Sequence, residues 1–161
     1  MKRQRWTTIG LIAGLMLAIA PLVVNWSPWS SMLARTFNNL VHIPLFAVIT
    51  TLLLVLARRS LGGRLSPATQ YAAACGTGLF VGFLTELLQL VGPRDADFSD
   101  LILNGVGVVL AVTWWCTFDE RLDGTPIRRK GGRIVLRIVA IAGFVVSLYP
   151  LIPVWEAYRE R

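Results

Sequence analysis

Apolar residues run in long stretches along this chain, and polar residues gather in the short gaps between them. A helix needs about 20 residues to cross a hydrocarbon layer of ~30 Å. Five stretches meet that length: roughly Trp6–Val24, Leu40–Ala57, Thr69–Val91, Leu101–Phe118 and Ile134–Pro153. In lipid every backbone amide must be paired within its own segment, so these stretches predict helices. None shows the period-two alternation of a membrane barrel. The pattern therefore predicts an all-α fold, a polytopic membrane bundle of five transmembrane helices forming one domain over residues 1–161.

Boundary residues support this division. Gly92-Pro93 ends the third helix, because proline cannot continue it. Asp97 is placed to cap the fourth helix, with Asp100 in its first turn. Gly62-Gly63 and Gly131-Gly132 predict flexible loops. Lys2-Arg3-Gln4-Arg5, an apolar run and Ala18-Ile19-Ala20 resemble a secretory signal peptide. Pro21 and the apolar continuation through Val24 to Trp26 and Trp29 favour a retained helix instead, with the tryptophans at an interface.

Composition strengthens the membrane reading. Hydrophobic residues make up 55% and charged residues only 16%, against about a quarter charged in soluble domains. Mean hydropathy is +0.61. A disordered chain, a coiled coil and a disulfide scaffold are excluded. Cys75 and Cys116 lie in apolar stretches and read as small buried hydrophobes. Net charge is +7, yet the cations sit in short runs between apolar stretches, which is not a nucleic-acid footprint. They set an orientation instead. With the N-terminus in the cytoplasm, twelve of the 16 basic residues fall on the inner side, as the positive-inside rule requires. The C-terminus then lies outside.

Ionisable groups inside a membrane are costly and need a reason. Here they share a depth near the outer face. His42 opens the second span, Glu86 and Gln89 close the third, Asn104 lies one turn into the fourth, and Arg94, Asp97 and Asp100 fill the loop between the last two. Gly78, Gly82 and Glu86 repeat every four residues on one helix face. Asp100, Asn104, Gly107 and Ala111 form a matching face on the next helix. The glycines predict close helix packing. Structural readings of the same residues stand beside the functional one: Glu86 with Arg94 as an ion pair, Asp97 and Asp100 as caps, and His42 as an interfacial histidine. A zinc site of His42, Glu86 and Asp100 is one alternative, but their wide separation in sequence fits none of the usual ligand spacings, so the expectation is neither a metal nor a cofactor.

The ordered set Glu86, Gln89, Arg94, Asp97, Asp100, Asn104 and Gly107, preceded by His42-x-x-x-Phe46, resembles the VanZ-like family of bacterial membrane proteins, which includes the teicoplanin-resistance protein. The resemblance covers residues 38–116. Four spans are typical of that family, so the helix over 134–155 is an addition. Asn38-Asn39 stands where the family often has Asp-Lys. The resemblance implies a cell-envelope role, in glycopeptide tolerance or in polysaccharide and wall metabolism, and names no reaction.

Three functions fit this pattern. The outer pocket binds the headgroup of a lipid-linked wall or polysaccharide precursor or another anionic lipid. Arg94 then holds phosphate, and Glu86, Gln89 and Asn104 orient hydroxyls or amides. The lipid chain lies between spans two, three and four. Alternatively the chain is a transferase or hydrolase on such a substrate. His42 or Glu86 is then the general base, Asp97 or Asp100 holds a divalent ion, and His42, Glu86 and Asp100 are the catalytic candidates. A transporter fits least, because the acidic groups lie near one surface and no repeat is present. Membrane lipids and envelope-synthesis proteins are the expected partners.

Overall fold

The computed structural model describes residues 2–23, 32–90 and 97–159. Its helices are α1 (Lys2–Val23), α2 (Met32–Leu61), α3 (Pro67–Gln89), α4 (Phe98–Phe118), α5 (Lys130–Ser147) and α6 (Ile152–Arg159). Short 3-10 turns lie at Glu120–Leu122, Pro126–Arg128 and Tyr149–Leu151. No strand occurs among the described residues.

Three helical segments are long and apolar enough to cross a membrane: Asn39–Leu61, Pro67–Gln89 and Phe98–Phe118. The remaining two expected spans differ from this standard. In α1 the described apolar run is shorter, Thr7–Ala20. Lys130, Arg133 and Arg137 charge the first half of α5. The fifth helix also stops at Ser147 rather than near Pro153. Pro150 and Pro153 supply no amide for a continuing helix, and the chain passes through a 3-10 turn into α6. Conversely, α2 starts at Met32, well before Leu40, so residues that look like a polar linker form its first turns. Gly131 and Gly132 are not a loop. They lie in the first turn of α5, where a Cβ on Gly132 would meet the carbonyl oxygens of Pro126 and Ile127 at 2.4 Å.

Burial in α3 is inverted relative to a soluble helix. Gln70, Tyr71, Gly78, Gly82, Thr85, Glu86 and Gln89 face inward, while Leu79, Phe80, Phe83, Leu87 and Leu88 are exposed. In water this arrangement would expose a large apolar patch. In hydrocarbon it places the apolar side chains against lipid and lets the polar ones satisfy each other. The helices are therefore those of a membrane protein.

Helix α2 is the central element, packed on α4 and α3, with α1 against α2 and α5 against α4. Phe46, Ile49 and Val108 form the middle of the core, covered by Leu15, Ala18 and Ile19 of α1. Gly78 and Gly82 lie against α2 and α4: a Cβ on Gly82 would stand 3.2 Å from the Asn104 Cβ and 3.3 Å from Phe46. Gly107 is tighter still, as a Cβ there would meet the Ile43 carbonyl oxygen at 2.4 Å. The glycine packing read from the sequence thus joins all three helices.

The end of the bundle carrying Arg58 and Asp119 is locked by a polar cluster. Asp119 follows the last turn of α4, and its Oδ2 accepts from Arg58 Nη2 at 2.8 Å, Tyr71 OH at 3.0 Å and Arg121 Nη2 at 2.8 Å. Arg58 Nη2 also donates to Tyr71 OH at 2.6 Å, and its guanidinium lies 5.3 Å from the Trp115 ring centroid. Arg121 Nη1 reaches Gln70 Oε1 at 3.3 Å. Beyond it Gly124 turns the chain with φ of +82°, a backbone region that suits glycine.

The side-chain bond from Arg121 does most to hold the Asp119 carboxyl at about 2, below its ordinary 3.8. Burial opposes this shift, and the Arg121 amide, Tyr71 and Arg58 reinforce it. A carboxyl depressed on folding stabilises the fold fully above its unfolded value, and the contribution disappears as pH falls through the folded value. Melting in detergent is expected to be insensitive to this group from pH 7 to about 4 and to fall between about 4 and 2. The decline should be smaller in Asp119→Asn. An equal decline in both proteins would remove Asp119 from the account.

Candidate functional site

The opposite end of the same three helices holds a second polar cluster. Helix α2 contributes His42, α3 contributes Glu86 and Gln89, and α4 contributes Asp100 and Asn104, all buried. Their positions follow from helical spacing. Gly78, Gly82 and Glu86 share the inward face of α3, with Gln89 one turn further. Asp100, Asn104, Gly107 and Ala111 share the inward face of α4. The glycines draw the three backbones together, which brings these polar side chains within reach of one another.

Geometry within the cluster is specific. His42 Nδ1 lies 2.8 Å from Asn104 Oδ1. Asn104 Nδ2 donates to Glu86 Oε1 at 3.4 Å. His42 Nε2 lies 3.4 Å from Asp100 Oδ2. Asn104 fixes the direction of this chain. Its amide nitrogen faces Glu86 and its amide oxygen, which only accepts, faces the imidazole. His42 therefore donates from Nδ1, which leaves Nε2 toward Asp100. Two carboxylates, an imidazole and a carboxamide converge, a set that can orient hydroxyl, amide or cationic groups or accept a proton.

Asp97 takes the capping role expected of it. Its Oδ1 accepts from the Ser99 amide at 2.8 Å, and its side chain is exposed, apart from the buried cluster. Asp100, in contrast, turns inward rather than serving as a cap. Arg94 lies outside the described residues, as do Pro93 and Asp95.

Two apolar grooves border α5. One groove of about 590 Å³ lies between α2, α4 and α5, lined by Val48, Leu52, Leu110, Trp114, Leu136 and Arg137. Another of about 600 Å³ runs between α4 and the end of α5, lined by Ser99, Ile102, Leu103, Val145 and Tyr149. Ser99, in the first turn of α4, lines the second groove, which therefore lies at the end of α4 that carries Asp100.

Sequence reasoning missed the cluster around Asp119. Its one visible signal was an acidic residue at the end of an apolar stretch with arginine two positions on. Comparison with protein-family models, with curated proteins and with solved structures returns no match.

Proposed function

We propose that this chain is a bacterial cell-envelope protein of the VanZ-like kind that binds the headgroup of a lipid-linked wall or polysaccharide precursor. The observation that carries this reading is the convergence of His42, Glu86, Asp100 and Asn104 from three helices at one end of an apolar bundle. Buried polar side chains are expensive in a membrane and mark functional pathways or sites. Glu86, Gln89 and Asn104 suit the hydroxyls and amides of a sugar or peptide headgroup. Arg94, which lies between α3 and α4 in sequence, supplies the phosphate contact. The groove between α4 and α5 takes the lipid chain.

In this reading α1 and α5 complete a five-span protein of the inner membrane, with the polar site on the outer side and the C-terminus outside. The twelve basic residues gathered at the other side support that orientation. A second reading, a transferase or hydrolase on the same substrate, is favoured by one observation. His42 is held by Asn104 on one nitrogen and faces Asp100 with the other, the arrangement of an oriented acid–base group.

The test uses the purified full chain in lipid nanodiscs and a purified lipid-linked precursor. Saturable binding is expected, weakened roughly tenfold or more in Glu86→Gln and in Arg94→Ala, as loss of a charged hydrogen bond implies. Melting of the unliganded variants should stay close to the parent. Unchanged binding in both variants would make the cluster structural. Turnover of the precursor would replace binding with the enzymatic reading.

A further inference from the structure

We propose that His42, Glu86 and Asp100 form a binding site for a divalent transition-metal ion of the zinc class. The proposal goes beyond the headgroup reading and does not depend on it. Each residue offers one ligand atom, and the three atoms lie within 4.8 Å of one another with all three residues buried. Two ligands held about 2.1 Å from a tetrahedral ion stand about 3.4 Å apart. His42 Nε2 and Asp100 Oδ2 are separated by 3.4 Å.

The imidazole is also prepared for ligation. A metal-bound histidine usually donates its other N–H to an acceptor, which sets tautomer and ring orientation. Asn104 Oδ1 provides that acceptor at 2.8 Å from Nδ1, and Asn104 Nδ2 steadies Glu86 at 3.4 Å. Asn104 is thus a positioning residue for two of the three ligands. One nitrogen and two carboxylates are a donor set for zinc and its first-row neighbours rather than for thiol-selective ions. Three protein ligands leave a fourth position for water or an oxygen of a bound molecule.

None of this was visible as spacing. The ligands come from α2, α3 and α4, and only the rotation of each helix brings them together. Between Nε2 and Oδ2 the alternative to a metal is a shared proton, an imidazolium–carboxylate pair.

The experiment uses the full chain, purified without a histidine tag, stripped with a chelator and titrated with Zn²⁺ and separately with Co²⁺. One ion per chain is expected by elemental analysis after desalting, with a rise in melting temperature. Co²⁺ should give the visible absorption of a four- or five-coordinate site with nitrogen and oxygen donors. His42→Gln and Asp100→Asn should lose the ion. Asn104→Ala should weaken binding about ten- to hundredfold, as loss of such a supporting residue does elsewhere. The cobalt spectrum of the parent chain needs no variant, so a misfolded substitution leaves the test intact. Absence of a stoichiometric ion from the folded parent would overturn the proposal in favour of the proton-shared pair, and retention of the ion in folded His42→Gln and Asp100→Asn would overturn it by placing the ion elsewhere. No lipid-linked precursor is present, so a negative result leaves the headgroup reading standing.

Discussion

Gly107→Ala is expected to disrupt the packing of α2 on α4. The added Cβ would meet the Ile43 carbonyl oxygen at 2.4 Å, Phe46 Cβ at 2.9 Å and the Ala47 amide nitrogen at 3.2 Å. Two of these three atoms belong to the backbone of α2 and cannot rotate away. Helices α2 and α4 must separate, which loosens the contacts around Phe46 and Val108. Overpacking costs about 1–3 kcal/mol where side chains can adjust, and this site falls at or above the upper end. The expected result is a large fall in detergent melting temperature or failure to accumulate folded protein. Gly105→Ala is the control, because its Cβ would meet only Leu79 Cδ2 at an ordinary 3.8 Å. Equal melting of the two variants would refute the close approach of α2 and α4.

Asp119→Ala is the second large effect, because one carboxylate serves partners from three places in the chain. Its removal strips Arg58 and Tyr71 of their shared acceptor and frees Arg121 from the turn after α4. Breaking a buried ion pair costs about 3–5 kcal/mol. Arg58 retains 24% exposure and can regain water, so about 2–3 kcal/mol is the expected loss. Arg121→Ala should cost less than about 1 kcal/mol, since that side chain is 41% exposed and behaves as a surface pair. Melting of the two variants side by side checks the ranking. A larger loss in Arg121→Ala would mean that the turn, rather than the junction of helices, depends on the carboxylate.

Much of the site was legible because helix packing writes itself at intervals of three and four. Gly78, Gly82 and Glu86 announced one inward face, and Asp100, Asn104, Gly107 and Ala111 its counterpart. The cap at Asp97 was equally local. Features that depend on helix rotation or on distant residues were not legible. Arg58 and Asp119 are 61 positions apart, so the arginine read only as part of a basic run. The first turns of α2 carry Arg35, Asn38 and Asn39, whose polarity resembled a linker. Pro150 and Pro153 did signal a break after α5, but the surrounding apolar residues masked it.

Helices α2, α3 and α4 are pinned at both extremities, by Asn104 and its neighbours at one and by Asp119 at the other. Glycine contacts close the stretch between them. Sliding any one of the three by a turn would rupture both junctions together, so they behave as one stiff strut. Among the described residues α5 packs on α4 but makes no side-chain hydrogen bond to α2, α3 or α4, and it borders both grooves. Any widening of these grooves is therefore expected to come from α5, while the strut keeps its register.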